Sequence, residues 1–231
     1  MKIYILYQRL HNFKKTKLIY IDMTNAEDTK DLSVSNGNLF WISKRFFDLS
    51  ISIFLLPLVL IIFVILFILN HFINPGPVFF LQYRMGKNCK KFKAIKFRSM
   101  KNVDKIIRGY NDPIESNRIT PLGNILRMFR IDEMPQIINV IKGDMSLIGP
   151  RPDFYEHAVV FLHEIDGYKE RHTIRPGISG LSQIRLGYAV GLEATKKKTN
   201  VDNYYIQNAG FFLDAKILVG TIITILRRAG N

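Results

Sequence analysis

A chain of 231 residues is long enough for one good core, or one core plus a membrane element, so a single main domain is expected. Lys and Arg total 33 against 19 Asp and Glu, a net charge of +14, which points to negatively charged partners: nucleic acid, anionic lipid headgroups or phosphorylated substrates. The only cysteine, Cys89, excludes an internal disulfide and fits a reducing compartment.

The N-terminal stretch "MKIYILYQRLHNFKKTK" lacks a long apolar core and a small-residue cleavage site, so no cleavable signal is expected. "YILYQRL" and "KLIYIDM" have the character of short strands, while "TNAEDTKDLSVSNGN" is polar and turn-rich, as a linker is. No motif, internal repeat or low-complexity tract marks residues 1–40.

Residues 51–69, "ISIFLLPLVLIIFVILFIL", carry no charge and reach the length of a membrane helix. Lys44 and Arg45 precede the run, and Arg84, Lys87, Lys90, Lys91 and Lys93 follow it. Positive residues favour the cytoplasmic side, so a simple span leaves one cluster on the wrong side. Pro57 lies inside the run, where it removes a backbone hydrogen bond and kinks a helix. A helix that breaks near Pro57 and returns to its own face fits both facts. An ordinary kinked span also accommodates the proline.

After "NPGP", the segments "VFFLQYR" and "FKAIKFRSM" predict two strands joined through "MGKNCKK", with Gly and Asn available for the turn. Lys96 and Arg98 are two apart and therefore share a strand face. They form either a solvated face or a pair of cations aimed at an anion.

From Pro121, Leu122, Ile125, Leu126 and Phe129 give one helical stripe, with Arg127 and Arg130 neighbours off it. Met134, Ile137, Ile138 and Ile141 give a second, with Pro135 in its first turn. Asp132 then falls near the N-cap and Glu133 in the first turn, where both suit the helix dipole without any chemistry. The surroundings offer another role. Helix N-termini attract phosphate, arginines gather upstream, and the turn-rich "KGDMSLIGPRPD" presents Arg151 just beyond. In such a setting one carboxylate can attack phosphorus while another holds a metal ion whose charge offsets the phosphates.

"RPGISGLSQ" forces turns and offers Arg175 as a further anion contact; "TKKKT" at 195–199 reads as a solvated loop. The C-terminal "AKILVGTIITILRRAGN" carries Ile217, Leu218, Thr221, Ile222, Ile225 and Leu226 on a helical stripe ending at Arg227 and Arg228. Such a helix lies either in a membrane interface or in the domain core. His157, His163 and His172 form no zinc motif, and no Gly-rich Lys-Ser/Thr nucleotide loop is present.

The ordered set "KFRSM", "RITPLGNILRMFRIDEMPQIINVIKGDMSLIGPRPD", "RPGISGLSQ" and "DNYYIQNAGFFLDAKILVGTI" resembles the bacterial sugar transferases over residues 41–231. These are the monotopic polyprenyl-phosphate phosphoglycosyl transferases. The resemblance implies transfer of a sugar-1-phosphate from a UDP-sugar to polyprenyl phosphate, usually undecaprenyl phosphate, with release of UMP. It implies Asp132 as the nucleophile that forms a phosphosugar-enzyme intermediate, and Glu133 as a ligand of Mg²⁺, with Asp132 beside it. Lys96, Arg98, Arg127 and Arg151 match the family's cations for phosphate or donor, and Asp144 of "KGDMS" takes no catalytic role. The resemblance also implies a re-entrant helix broken at Pro57, and an active site on the cytoplasmic face of the bacterial inner membrane. Larger relatives carry several membrane helices before this core, so the chain is similar to the minimal form.

The expected fold is α+β and mainly helical: an N-terminal re-entrant membrane helix, then a small β-hairpin and helices on the membrane surface. The expected organisation is a 1–40 extension, a 41–73 membrane helix and a 74–231 catalytic domain. A membrane-tethered basic protein that holds nucleic acid or anionic lipid is the alternative, since basic clusters bind phosphate backbones without chemistry. It leaves unexplained an Asp-Glu pair that repels nucleic acid, so nucleic acid is not an expected partner.

Overall fold

The computed structural model describes residues 37–103, 109–112, 115–187 and 190–227. The strand and linker readings for residues 1–36, and Arg228, lie outside these.

The first element is a 35-residue helix, α1 (Asn38–Phe72), about 52 Å long at 1.5 Å per residue. It is long and apolar enough to cross a membrane. Pro57 is an interior residue of one continuous helix and does not divide it into two elements. One face, including Lys44, Asp48, Ser52, Val59, Leu66 and Asn70, is buried against the rest of the chain. Away from that face the side chains are apolar and bare: Phe54 is 81% exposed, and Leu60, Ile61 and Phe67 are exposed too. The buried face is thus the more polar one, the reverse of a helix in water.

β1 (Phe79–Met85) and β2 (Lys91–Phe97) pair antiparallel, with Phe79 opposite Phe97 and Phe80 opposite Lys96. The turn at Lys87–Cys89 places Asn88 and Cys89 at positive φ, a conformation that Asn tolerates well. Phe63 of α1 stacks on Phe79 at 5.2 Å, and Phe79 on Phe97 at 5.6 Å, fastening the hairpin to the long helix. Val59, Leu66, Val78, Phe97, Leu126 and Ile137 form the core between them.

α2 (Pro121–Met128) begins as expected, with Pro121 in the first turn and the Thr120 hydroxyl accepting the Gly123 N–H at 3.0 Å. Its stripe divides: Leu126 is buried, while Ile125 and Phe129 are exposed. α3 (Gln136–Lys142) follows and closes on Gly143 at φ 92°.

Two segments read as loops contain strands. β3 (Ser146–Ile148) pairs parallel with β4 (Gly177–Ser179). The glycines of "IGP" and "RPGISG" permit the approach, since a Cβ on Gly177 would meet the Gly149 backbone. α4 (Tyr155–Glu164), α5 (Leu181–Leu186), α6 (Leu192–Gln207) and α7 (Phe211–Leu226) complete the described chain. "TKKKT" is corrected: it lies within α6, with Thr195, Lys198 and Thr199 buried. On α7, Leu213, Ile217 and Gly220 pack inward while Leu218, Val219 and Ile222 are exposed, so the helix has both a core face and a bare apolar one.

The molecule is therefore mainly helical, with two small two-stranded sheets.

Candidate active site

The segment between α2 and α3 is compact because of an unusual residue. Arg130 adopts the left-handed conformation (φ 55°, ψ 22°) at the position after a helix end where glycine is commonest. The chain reverses there, and a single turn, Ile131–Glu133, carries both carboxylates. The helix-capping reading of Asp132 is corrected by this turn. α3 starts at Gln136 with Pro135 in the cap position, so Asp132 sits a turn too early to cap it.

Asp132 and Glu133 are both buried, yet their environments differ. Glu133 is gripped: Lys96 Nζ donates to Oε1 at 2.7 Å, Arg151 Nη1 donates to Oε2 at 2.9 Å, and Arg151 Nη2 also reaches Oε1. Arg130 adds a longer contact to Oε2 at 3.5 Å. Burial alone would push the Glu133 carboxyl up, but Arg151 and Lys96 outweigh it and hold it well below the usual carboxylate range. The Asp132 carboxylate receives no such hydrogen bond from the described residues. Burial, with Glu133 beside it, pushes its pKa up to about 6 against the pull of Lys96 and Arg127. Adjacent carboxylates thus divide into one held by cations and one without a hydrogen-bonded clamp among the described residues.

Both face a cavity of about 330 Å³ whose wall also includes Lys96, Arg98, Arg127, Arg130 and Arg151. β2 supplies Lys96, and Asn139 of α3 locks that strand in place: its Oδ1 accepts the Ile95 N–H at 3.0 Å and its Nδ2 donates to the Lys93 carbonyl at 2.8 Å. The same Nδ2 donates to Asp144 at 3.1 Å, a structural contact for that residue.

The expected cations do not all meet the dyad. Arg98 lies beyond the end of β2, and its guanidinium turns to the carbonyls of Pro77, at 2.7 Å, and Asn74. It ties the end of α1 to the hairpin; Lys96 and Arg98 line the same cavity, but only Lys96 bonds to the dyad. Arg175 lies outside this cavity altogether and donates through Nε to the Gly143 carbonyl at 2.9 Å.

Sequence reasoning passed over a second layer. Asp153 accepts from Tyr168 Oη at 2.8 Å and from Arg171 and Lys198. Burial would raise its pKa, but Lys198 and Arg171 hold it well below the usual range. Arg171 also donates to the Arg151 carbonyl at 2.8 Å and pairs with Asp202 at 2.8 Å. This network fixes the backbone from which Arg151 reaches Glu133. Lys198 hid in a lysine triplet of solvated character; Arg130 carried no sequence signal of its backbone conformation.

Among the described residues no three His, Cys, Asp or Glu side chains converge on one point. The dyad itself offers the oxygen donors of two adjacent carboxylates, in a cavity whose wall also includes Glu115, Asp153 and His157. That pair fits Mg²⁺, a hard cation held by one or two carboxylates together with substrate phosphates and water.

Comparison with known proteins follows the same residues. The family model for bacterial sugar transferases matches residues 39–228. A UDP-N-acetylgalactosamine-undecaprenyl-phosphate N-acetylgalactosaminephosphotransferase of Aeromonas hydrophila is 41% identical over 187 residues, covering 81% of this chain and 44% of that protein. An uncharacterized sugar transferase, EpsL, of Bacillus subtilis (strain 168) is 38% identical over 82% of this chain and 90% of its own length. A UDP-glucose:undecaprenyl-phosphate glucose-1-phosphate transferase of Klebsiella pneumoniae is 38% identical over 78% of this chain and 39% of its own length. The matched region is thus less than half of the Aeromonas and Klebsiella proteins.

Proposed function

This chain belongs to the bacterial sugar transferase family, and we propose that it transfers a sugar-1-phosphate from a UDP-sugar to polyprenyl phosphate, releasing UMP. The relatives whose names specify a reaction act between a UDP-sugar and undecaprenyl phosphate. The observation that carries the proposal for this chain is the asymmetric dyad, with Asp132 unclamped beside a cation-bound Glu133 in a basic cavity.

In the proposed first half-reaction, an Asp132 carboxylate oxygen attacks the β-phosphorus of the donor. The bond from that phosphorus to the bridging oxygen breaks, and UMP leaves with the electron pair. Asp132 then carries the sugar phosphate as an acyl-phosphate. In the second, a phosphate oxygen of the polyprenyl phosphate attacks the same phosphorus, restoring the Asp132 carboxylate and forming the polyprenyl-diphosphate sugar. Arg127 and Arg151 stand at the cavity wall to hold phosphate oxygens as charge shifts between them. Lys96, Arg130 and Arg151 keep Glu133 ionised. Glu133, with Asp132 beside it, would hold Mg²⁺, which when bound supplies positive charge to offset the donor pyrophosphate.

The site would lie at the cytoplasmic face of the inner membrane, where lipid phosphate and soluble nucleotide sugar meet. We read α1 as re-entrant. Residues near both its ends bond to the same domain: Arg45 Nη1 donates to the Val140 carbonyl at 2.8 Å, and Arg98 Nε donates at 2.7 Å to Pro77, just beyond the far end. A perpendicular span would carry those ends to opposite faces.

The test is UMP release from purified, detergent-solubilised protein given UDP-sugars and Mg²⁺ without acceptor. A burst of about one equivalent per enzyme is expected. EDTA should suppress it, and Asp132→Asn should abolish it while the protein stays folded. UMP release that strictly requires polyprenyl phosphate would overturn the covalent route.

A further inference from the structure

Arg175, which the dyad does not use, lines a second cavity of about 230 Å³ together with Trp41, Arg45, Lys87 and Thr173. Among the described residues none lines both cavities. From this placement we propose that the second cavity is a binding site for the phosphate of an anionic phospholipid headgroup.

The charge in the cavity is one-sided. Among the described residues its wall includes four cations, Lys44, Arg45, Lys87 and Arg175, and one acid, Asp48. Lys44 is neutralised by Asp214, and the Asp48 carboxylate is turned to the Leu147 N–H at 3.1 Å. Asp48 keeps its charge, so Arg45, Lys87 and Arg175 against Asp48 leave the hollow with a net positive charge. Arg45 and Arg175 both approach the C-terminal end of α3: Arg45 donates to the Val140 and Ile141 carbonyls, and Arg175 donates to Gly143. Helix capping accounts for the guanidinium of Arg45, but it occupies only Nε of Arg175. The two Nη groups of Arg175 form the fork that matches a phosphate. Lys87 makes no ion pair among the described residues, and its side chain is exposed at the hairpin turn.

The apolar surroundings select a lipid over a free ion. Trp41 lies in the wall of the cavity, and tryptophan favours the headgroup level of a bilayer. On the same helical turns Leu39, Ile42, Phe46 and Phe47 are exposed, and Phe211 packs edge-on against Phe40 and Phe47. A headgroup in the cavity would therefore have acyl-chain partners beside it. An inorganic phosphate would gain nothing from these side chains.

The test is native mass spectrometry of the full-length protein released from detergent, titrated with phosphatidylglycerol, phosphatidylcholine or inorganic phosphate. The wild type should retain one phosphatidylglycerol with at least about tenfold preference over phosphatidylcholine. Arg175→Gln and Lys87→Gln should each weaken that adduct, and Lys90→Gln, outside the cavity, should not. Lys87 is exposed on a turn, so its variant remains informative if Arg175→Gln fails to fold. Equal retention of both lipids, an adduct unchanged in both variants, or full displacement by millimolar inorganic phosphate would overturn the proposal. The readout is lipid retention, so it stands or falls independently of UMP release.

Discussion

The pKa values of the site's two carboxyls are shifted in opposite directions, Asp132 upward and Glu133 downward. Asp132 is ionised above about pH 6, so the donor-alone UMP burst should slow as pH falls through 6. Replacing Glu133 by Gln removes a neighbouring negative charge that raises the Asp132 pKa, so the acid limb of the surviving activity should move to lower pH. A limb that stays near 6 in Glu133→Gln would show that the two groups are not coupled. The same substitution leaves Lys96, Arg130 and Arg151 without their shared counter-charge, at a cost on the order of 3–5 kcal/mol, measurable as a lower Tm. Glu133 is depressed in the folded state. Its stabilisation is therefore complete above the pKa of an unfolded glutamate and fades as pH falls toward the folded value.

At the level of elements, the connection from Ser99 to α2 leaves no space for a side chain at Gly123, where a Cβ would run into the Ser99 backbone carbonyl. Gly123→Ala should lower the melting temperature, with a loss of about 1–3 kcal/mol or more, because a backbone carbonyl cannot rotate aside as a side chain does. An unchanged Tm would mean that α2 shifts freely. The elements legible in sequence were those with a period. The hairpin showed its alternation, and α2 and α3 showed apolar stripes with Pro and Gly at their ends. β3 and β4 were illegible because three residues are too few for a period, and their flanking Gly and Pro carry turn signals. Their pairing depends on contact between segments about 30 residues apart, which local pattern does not encode. The dyad was legible from its motif and its company of arginines. The division of labour within it was not, because that depends on which carboxylate Lys96 reaches from β2. Arg98 shows the same limit: alternation brings it to the same cavity as Lys96, but its bonds to the Pro77 and Asn74 carbonyls depend on a segment about 20 residues away.

At the scale of the whole molecule, α1 and α7, Ile125 of α2 and Phe129 just after it expose apolar surface that a bilayer would cover. Under the re-entrant reading, single cysteines at Asn38 and Lys87 in a Cys89→Ser background should both resist an impermeant thiol reagent in intact cells and react after lysis. Labelling of either one in intact cells would place that end outside and make α1 a span.

The contacts of α1 also decide how the protein can be divided. Its Arg45 holds the end of the helix whose other end adjoins the dyad, its Asp48 accepts a β3 amide, and Val59 and Leu66 fill the core beside Phe97. Cutting the chain after residue 72 would strip those carbonyls and that amide of their partners and open the core to water. A soluble fragment made in this way is expected to be a misfolded protein, and its inactivity would say nothing about whether catalysis needs a bilayer. For this fold, membrane dependence has to be measured by changing the lipid around an intact chain.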